Sequence, residues 1–348
     1  MKKLLSWIKH FCWILKNKCA EQSLISLISS HQDKTIFLFG SPWHSNMGDQ
    51  AQTYCIQKWL EKNYTEYHLI ILTLMTSTDK VINCIRKHIK SDDLLMCHSG
   101  YHITNLYKEK DVYCKIARLF PDFKIFIFPQ TINFVNDPEE EKNVSDMFNK
   151  HGKITLCCRD EFSFQYAQEI FVNCSLLLYP DIVTSLIGTM KYNNLRKGVL
   201  FCMRNDIEAL YTSEEIQFLR NRFGSMNTDI TDTTIPTSYS VIKKKRESIL
   251  LEMFEQFSKY ELVVTDRYHG TIFSLIAGTP VIVISSTDHK LSSGVRWFPE
   301  SFNDYVKFAS NLDEVYQLAQ DVLSNKNRTY LLPAYFEQKY YSVLKSKL

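Results

Sequence analysis

The 348-residue sequence lacks the short motifs that most directly assign an enzyme to a chemistry. It has no GxGxxG dinucleotide-binding loop, no Walker phosphate-binding loop, no GxSxG nucleophile elbow and no HExxH zinc motif. Its ten cysteines include no CxxC pair, so their spacing argues against a structural zinc site. Several cysteines lie inside apolar runs, which predicts buried, reduced thiols in a cytosolic protein.

The sequence also lacks an excess of either charge and a long apolar run at its start. Its 41 basic and 38 acidic residues leave a net charge of +3, which argues against nucleic acid as the main partner. The apolar stretch within residues 4–15 is too short to span a bilayer, and no small-residue cleavage site follows it. Its basic flanks predict an amphipathic helix within an N-terminal region, residues 1–34. Either residues 1–20 lie on an anionic membrane surface, or the helix packs on the protein or a partner subunit.

From residue 35 onward, short apolar runs alternate with segments of helical periodicity. The first run, Thr35–Phe39, ends in a polar, turn-rich loop, and the later runs end in the same way. This alternation predicts parallel sheets covered by helices on both faces. A polar stretch at 189–197 separates two such halves, which predicts an N-terminal domain over 35–190 and a C-terminal domain over 198–348. The expected fold class is therefore α/β, with two Rossmann-like domains facing across a cleft. The stretch 227–237 is turn-rich, and the last helix, predicted over 330–345, is expected to pack back on the first domain.

The stretch 262–284 has the strongest pattern, a strand, a polar turn, a helix and a second strand. Arg267 and His269 lie in the turn, two residues apart, so both side chains point the same way in an extended segment. They follow the carboxyl end of a buried strand and precede a helix N-terminus, and anions bind at both kinds of place. The pattern predicts an anion site. The alternative is a buried histidine bonded to backbone, with Asp266 and Arg267 as a local ion pair.

A second polar loop follows the first strand. Asn46 and Asp49 bracket Gly48 at the start of a helix, and Gly48 permits close backbone approach. Asp49 has two interpretations, a helix cap or a group that accepts a proton from a substrate hydroxyl.

Two further arginines end strands. Arg204 follows the run 199–203 and either pairs with Asp206 or binds a carboxylate or phosphate with its planar fork. Arg159 is followed by Asp160 and Glu161, and a structural ion pair with them is as plausible as a role in binding.

These segments resemble those of bacterial polysaccharide pyruvyl transferases, in order and spacing, over roughly residues 35–286. The resemblance rests on five stretches: GSPWHSNMGDQA (40–51), CRDEFSF (158–164), YPD (179–181), MRND (203–206) and DRYHGTIFSLIAGTPVI (266–282). The aromatic residue at 268 stands where leucine is common in the family.

The resemblance implies a GT-B-like fold and transfer of a pyruvyl group from phosphoenolpyruvate to two hydroxyls of a sugar, as a cyclic ketal. It implies that Arg267 and His269, followed by Gly270, contact phosphoenolpyruvate, with Arg204 as a further anion ligand. It places Asn46, Gly48 and Asp49 on the acceptor or catalytic side. His269 is the candidate general acid, or only a donor ligand, and Asp49 the candidate base.

That chemistry is expected to need no metal and no cofactor besides the donor substrate. The expected partner is a sugar or a lipid-linked oligosaccharide, in the cytoplasm or at the inner face of the cytoplasmic membrane. Two rival functions remain open at this point. A glycosyltransferase would hold a nucleotide sugar in the same fold, and a non-catalytic relative would bind a sugar or a protein.

Overall fold

A computed structural model describes residues 18–206, 209–285, 290–325 and 329–348. The predicted amphipathic helix lies outside the described residues, as does nearly all of the segment 1–20 expected at a membrane. Residues 18–30 form helix α1. Within the described ranges, every helix is too short or too polar to cross a bilayer.

The described residues group into two compact units. The first contains the described residues up to Trp43, then Leu60–Cys157 and Gln165–Leu177. The second contains His44–Trp59, Cys158–Phe164 and Leu178–Leu348. The domain limits expected from the sequence stay a prediction.

The first unit is built on a sheet that has seven strands among the described residues, in the order β2-β1-β3-β5-β6-β7 with β4 paired to β5. Its strand β1 is buried along its whole length, as the apolar run 35–39 predicts for a strand covered on both faces. Along this part of the chain the order is β1 (Thr35–Ser41), α2 (Met47–Asn63), β2 (His68–Thr73), α3 (Asp79–His88), β3 (Leu94–Cys97), β4 (Gly100–Thr104), α4 (Glu109–Leu119), β5 (Ile125–Asn133), α5 (Pro138–His151), β6 (Ile154–Cys158), α6 (Glu161–Ile170) and β7 (Ser175–Leu178). Most of α2 belongs to the second unit.

The second unit contains a five-stranded sheet among the described residues, in the order β12-β11-β10-β8-β9, and its pairings are parallel. Strand β10 is central, and β8 and β11 flank it. The chain order is β8 (Val199–Cys202), α7 (Ser213–Asn221), β9 (Thr228–Thr231), α8 (Tyr239–Phe257), β10 (Leu262–Thr265), α9 (Tyr268–Ile276), β11 (Val281–Ile284), α10 (Lys290–Gly294), β12 (Val306–Ala309) and α11 (Leu312–Ser324). The predicted α/β class with parallel sheets is confirmed.

The core beneath this sheet explains why its strands read as continuous apolar runs. Strands β8, β10 and β11 are buried at every residue, since helices cover both faces. Full burial of one such aliphatic or aromatic side chain contributes about 1.5–3 kcal/mol. One cluster of this core joins these members: Val199, Phe201, Met203, Ile216, Leu219, Phe223, Leu262, Val264, Ile282, Ile284, Ala309, Val315, Ala319 and Val322.

Two predictions of secondary structure were wrong. The turn-rich stretch 227–237 contains strand β9, whose polar residues pair along the sheet edge with β8. The long helix predicted over 330–345 is replaced by short helical segments, Glu337–Tyr341 and Leu344–Lys347. Pro333 explains the difference, because proline lacks an N–H and disfavours helical geometry in the preceding residue.

Candidate functional site

The turn between β10 and α9 is held by one threonine. The Thr265 hydroxyl donates to Cys202 O at 2.6 Å and accepts the Arg267 backbone N–H at 3.0 Å. Arg267 has extended backbone angles and immediately precedes α9. A β-carbon at Gly270 would lie 2.3 Å from the Thr265 hydroxyl oxygen, so only glycine lets the helix start this close to the strand. The close approach of α9 to β10 at this turn therefore requires glycine at position 270.

Arg267 forms ion pairs with two carboxylates. Its Nε and Nη2 donate to the two oxygens of Asp232, both at 2.8 Å, in the bidentate geometry that suits a guanidinium. Its Nη1 lies 2.8 Å from Asp206 Oδ2. Burial lowers the pKa of Arg267, but the hydrogen bonds and charge of Asp232 outweigh it and hold the pKa above its ordinary value. The guanidinium is therefore a permanent cation at the end of β10.

Arg204 lies beside Arg267. Its backbone N–H donates to Asp266 Oδ1 at 2.8 Å, and its Nε lies 3.0 Å from Asp206 Oδ1. The expected pair of Arg204 with Asp206 is therefore present. Because Asp206 also contacts Arg267, one carboxylate lies between two guanidinium groups. The expected ion pair of Arg267 with Asp266 gives way to pairs with Asp232 and Asp206.

His269 presents its two ring nitrogens to different neighbours. Nε2 lies 3.5 Å from Asp181 Oδ2, an ion-pair distance that is longer than a good hydrogen bond. On the other side, a β-carbon at Gly48 would lie 2.3 Å from Nδ1. The ring is buried, with 8% of the residue exposed. The contact found in the described residues is therefore with a carboxylate, where one alternative expected a bond to backbone.

Asp181 is a residue to which sequence reasoning assigned no role. Its Oδ2 accepts Gln52 Nε2 at 2.6 Å and Arg159 Nη1 at 3.3 Å. Burial raises the pKa of Asp181, but the charges of His269 and Arg159 outweigh it and lower the pKa below its ordinary value. Arg159 thus pairs with a carboxylate distant in sequence. The only signal for Asp181 was its place directly after a strand, in the YPD stretch.

The loop before α2 lies against the loop after β9. Asn46 forms a bridge with Thr234, and the Met47 N–H donates to Thr233 O at 2.7 Å. Asn46 Oδ1 accepts the Gly48 N–H at 3.0 Å, so Asn46 caps the helix, a role that one interpretation gave to Asp49. Asp49 lies in the first turn of α2, with Oδ2 3.7 Å from His44 Nε2. The proton-accepting role expected for Asp49 stays a prediction.

A pocket of about 500 Å³ opens beside the arginines, at the carboxyl ends of β8 and β9. Its wall includes Arg204 and Asp232, which connects it to the Arg267 ion pairs. Its apolar side is formed by Leu210, Tyr211, Ile216 and Ile230. Asp232 was also missed from the sequence, because the polar strand before it gave no apolar signal.

The structure thus brings together in one unit every residue expected at the site. Arg267, His269 and Gly270 lie on one turn, and the arginine pair and the Asn46–Asp49 segment lie next to it. No cluster of three or more potential metal ligands occurs in the part of the chain that the structure describes.

Known proteins resemble this chain over most of its length. The family model described as polysaccharide pyruvyl transferase matches residues 46–289, which include all of these residues. General stress protein 30 of Bacillus subtilis is 30% identical over 285 residues, 80% of this chain and 82% of that protein. Pyruvyl transferase 1 of Schizosaccharomyces pombe is 24% identical over 268 residues, 73% of this chain and 67% of that protein.

A solved structure supports the fold alone. The UDP-GlcNAc 2-epimerase of Methanocaldococcus jannaschii matches with a TM-score of 0.54 at 12% identity, over 90% of this chain and 99% of that chain. The α/β fold is therefore GT-B-like, as expected.

Proposed function

The chain belongs to the polysaccharide pyruvyl transferase family, and from this we propose that it transfers a pyruvyl group from phosphoenolpyruvate to two hydroxyls of a sugar. The product is a cyclic ketal on a surface polysaccharide, exopolysaccharide or capsule, and phosphate is released. The observation that carries the proposal is the pair Arg204 and Arg267 beside His269. Phosphoenolpyruvate has a carboxylate and a phosphate, and two guanidinium groups match that double anion.

The proposed reaction begins with proton transfer. His269 protonates the methylene carbon of the donor, and the adjacent carbon becomes electron-poor. A sugar hydroxyl attacks that carbon while Asp49 accepts its proton. Phosphate then leaves with the proton that Asp49 accepted. The second hydroxyl attacks the same carbon to close the ketal and returns its proton to His269.

In these steps the two arginines bind and stabilise the negative charges of the donor. They hold the donor in place and stabilise the phosphate as it leaves, so that catalysis depends on orientation and electrostatic stabilisation. These steps require proton transfer and charge stabilisation only, so we expect no metal or organic cofactor.

We also propose where the reaction takes place. The amphipathic pattern in residues 1–20 supports peripheral contact with the inner face of the cytoplasmic membrane, where a lipid-linked oligosaccharide would be the acceptor. Deleting residues 1–20 should then move the protein from the membrane fraction to the supernatant. Unchanged fractionation would remove this part of the proposal.

The central test is donor profiling. The purified protein is incubated with phosphoenolpyruvate and a panel of synthetic or lipid-linked glycosides, and products are read by mass for added pyruvate and by phosphate release. We expect both signals to depend on acceptor. Turnover with nucleotide sugars alone would support the rival glycosyltransferase, and biological output that survives His269→Ala would support a non-catalytic relative.

A further inference from the structure

Asp181 is an anion without access to solvent. Its side chain has 0% exposure, and it lies between β7 and the short 3-10 helix Ile182–Leu186. A buried carboxylate without compensating donors or charges costs several kcal/mol, so its partners decide its state. Asp181 stays ionised because Arg159 and His269 lower its pKa despite burial.

The Asp181 carboxylate is also fixed in orientation. Oδ1 accepts the Val183 N–H at 3.0 Å, which caps the 3-10 helix, and this leaves Oδ2 for the side chains. Gln52 donates to Oδ2 at 2.6 Å from helix α2. Two elements therefore hold the oxygen that faces His269.

The neighbours of His269 make its two nitrogens unequal. A carboxylate opposite Nε2 favours a proton on that nitrogen, which selects the ring tautomer and its orientation. Nδ1 lies on the other side, where Gly48 packs so close that a β-carbon on it would lie 2.3 Å from this nitrogen. The titratable groups that contact the ring are Asp181 and the neighbouring Tyr268, and Arg159 contacts both of these groups.

We propose that Asp181 is the positioning residue for His269: it keeps a proton on Nε2 and fixes the ring, so that Nδ1 is the nitrogen that delivers the second proton of the imidazolium to the substrate. This inference rests on the proposed function in one respect only, that the substrate is the pyruvyl donor. Asp181 itself acts through His269 and touches no substrate. A carboxylate that orients a histidine in this way typically changes activity or affinity about 10–100-fold when removed.

The first measurement needs no activity. Nitrogen-15 NMR of the histidine rings in the whole protein, with the His269 signal identified by its loss in His269→Gln, reports which nitrogen carries a proton. We expect the neutral ring of His269 to carry its proton on Nε2 in the wild-type protein. A wild-type ring with a proton on Nδ1 alone would overturn the proposal, whatever the variants do.

The second measurement compares two variants of the same ion pair. Asp181→Asn removes the charge that faces His269 and keeps the side-chain size. Arg159→Gln removes the other charged partner of Asp181 without touching the imidazole. Asp181→Asn should create a fraction of neutral rings protonated on Nδ1 alone and lower kcat about 10–100-fold, while KM for phosphoenolpyruvate changes less than about threefold.

Arg159→Gln should leave the ring tautomer unchanged even where it lowers the melting temperature. Equal tautomer and kcat changes in both variants would indicate a structural role and overturn the proposal. A wild-type protein without turnover on phosphoenolpyruvate would contradict the proposed function, while the tautomer result would still decide the role of Asp181.

Discussion

Arg267 and His269 lie on the same turn, and each faces an aspartate, but the two aspartates differ in one property. Asp181, which faces His269, has a side-chain exposure of 0%, whereas Asp206, which faces Arg267, is 40% exposed. A buried ion pair cannot exchange its partner without a large desolvation cost. A half-exposed carboxylate can return to water at a small cost in free energy. The comparison indicates a fixed histidine and an arginine pair whose bridging anion can be exchanged for a ligand.

Removing the imidazole of His269 tests the role of the fixed histidine most directly. His269→Ala should lower kcat about 100-fold to 10,000-fold, the usual contribution of a general acid, because no other group protonates the donor. The melting temperature should also fall, because the buried Asp181 loses one partner, but the protein should stay folded since Asp181 keeps its pairs with Arg159 and Gln52. Kinetics and a thermal melt measure both. Activity within a few-fold of wild type would show that His269 is not the acid.

Replacing the guanidinium of Arg267 by an ammonium group tests whether the arginine pair binds the donor. Arg267→Lys keeps the charge but loses the bidentate contact with Asp232, so phosphoenolpyruvate should bind at least about 10-fold more weakly. The measurement is the rise in melting temperature with added phosphoenolpyruvate, which a ligand bound to the folded state produces. Lys307→Arg, the reverse exchange on strand β12, serves as control. An unchanged response in Arg267→Lys would contradict a donor site here.

Gly48→Ala should displace His269 through a steric clash. Its β-carbon would lie 2.3 Å from Nδ1 of a ring that Asp181 holds on the opposite side. We expect a loss of about 1–3 kcal/mol in the free energy of unfolding, and a fall in kcat with it. Gly152→Asn is the control, because Gly152 has open space around it and a left-handed conformation that asparagine tolerates. Equal effects of the two changes would argue against a tight contact at Nδ1.

Asp206→Asn should have a smaller effect, in the opposite direction. It removes the anion that competes with a ligand for Arg204 and Arg267, so inorganic phosphate should bind a few-fold more tightly. Titration calorimetry with phosphate at low salt measures this, since screening weakens exposed charges. Weaker phosphate binding would show that Asp206 organises the arginines and does not substitute for the ligand.

Asp266, which lies on the turn itself, should give the smallest effect. Burial raises the pKa of Asp266 to about 6, although the Arg204 N–H and the charge of Arg267 oppose it. The folded state therefore binds more protons than the unfolded state between about pH 4 and pH 6, so stability should fall as pH rises through that window. Asp266→Asn should flatten this part of the stability profile measured by urea unfolding. An identical slope in both proteins would contradict the raised pKa.

The predicted strands and the observed ones agree where apolar residues run without interruption. The runs at 35–39, 199–203, 262–264 and 281–284 all form strands, because burial on both faces leaves a continuous signal in the sequence. Strand β9 was missed, since an edge strand with polar residues resembles a turn. The helix predicted at 330–345 failed at Pro333, where a local rule outweighed periodicity.

The sequence by itself determined that Arg267 and His269 share one turn, because they are two residues apart at a strand end. It also indicated close backbone approach at Gly48, but only the folded chain shows that a side chain at Gly48 would clash with His269 and one at Gly270 with Thr265. Only the tertiary structure decided the partners, Asp181 for His269 and Asp232 for Arg267. The physical reason is that ion pairing and desolvation depend on distance and burial between segments far apart in the chain, and local patterns carry no information about either.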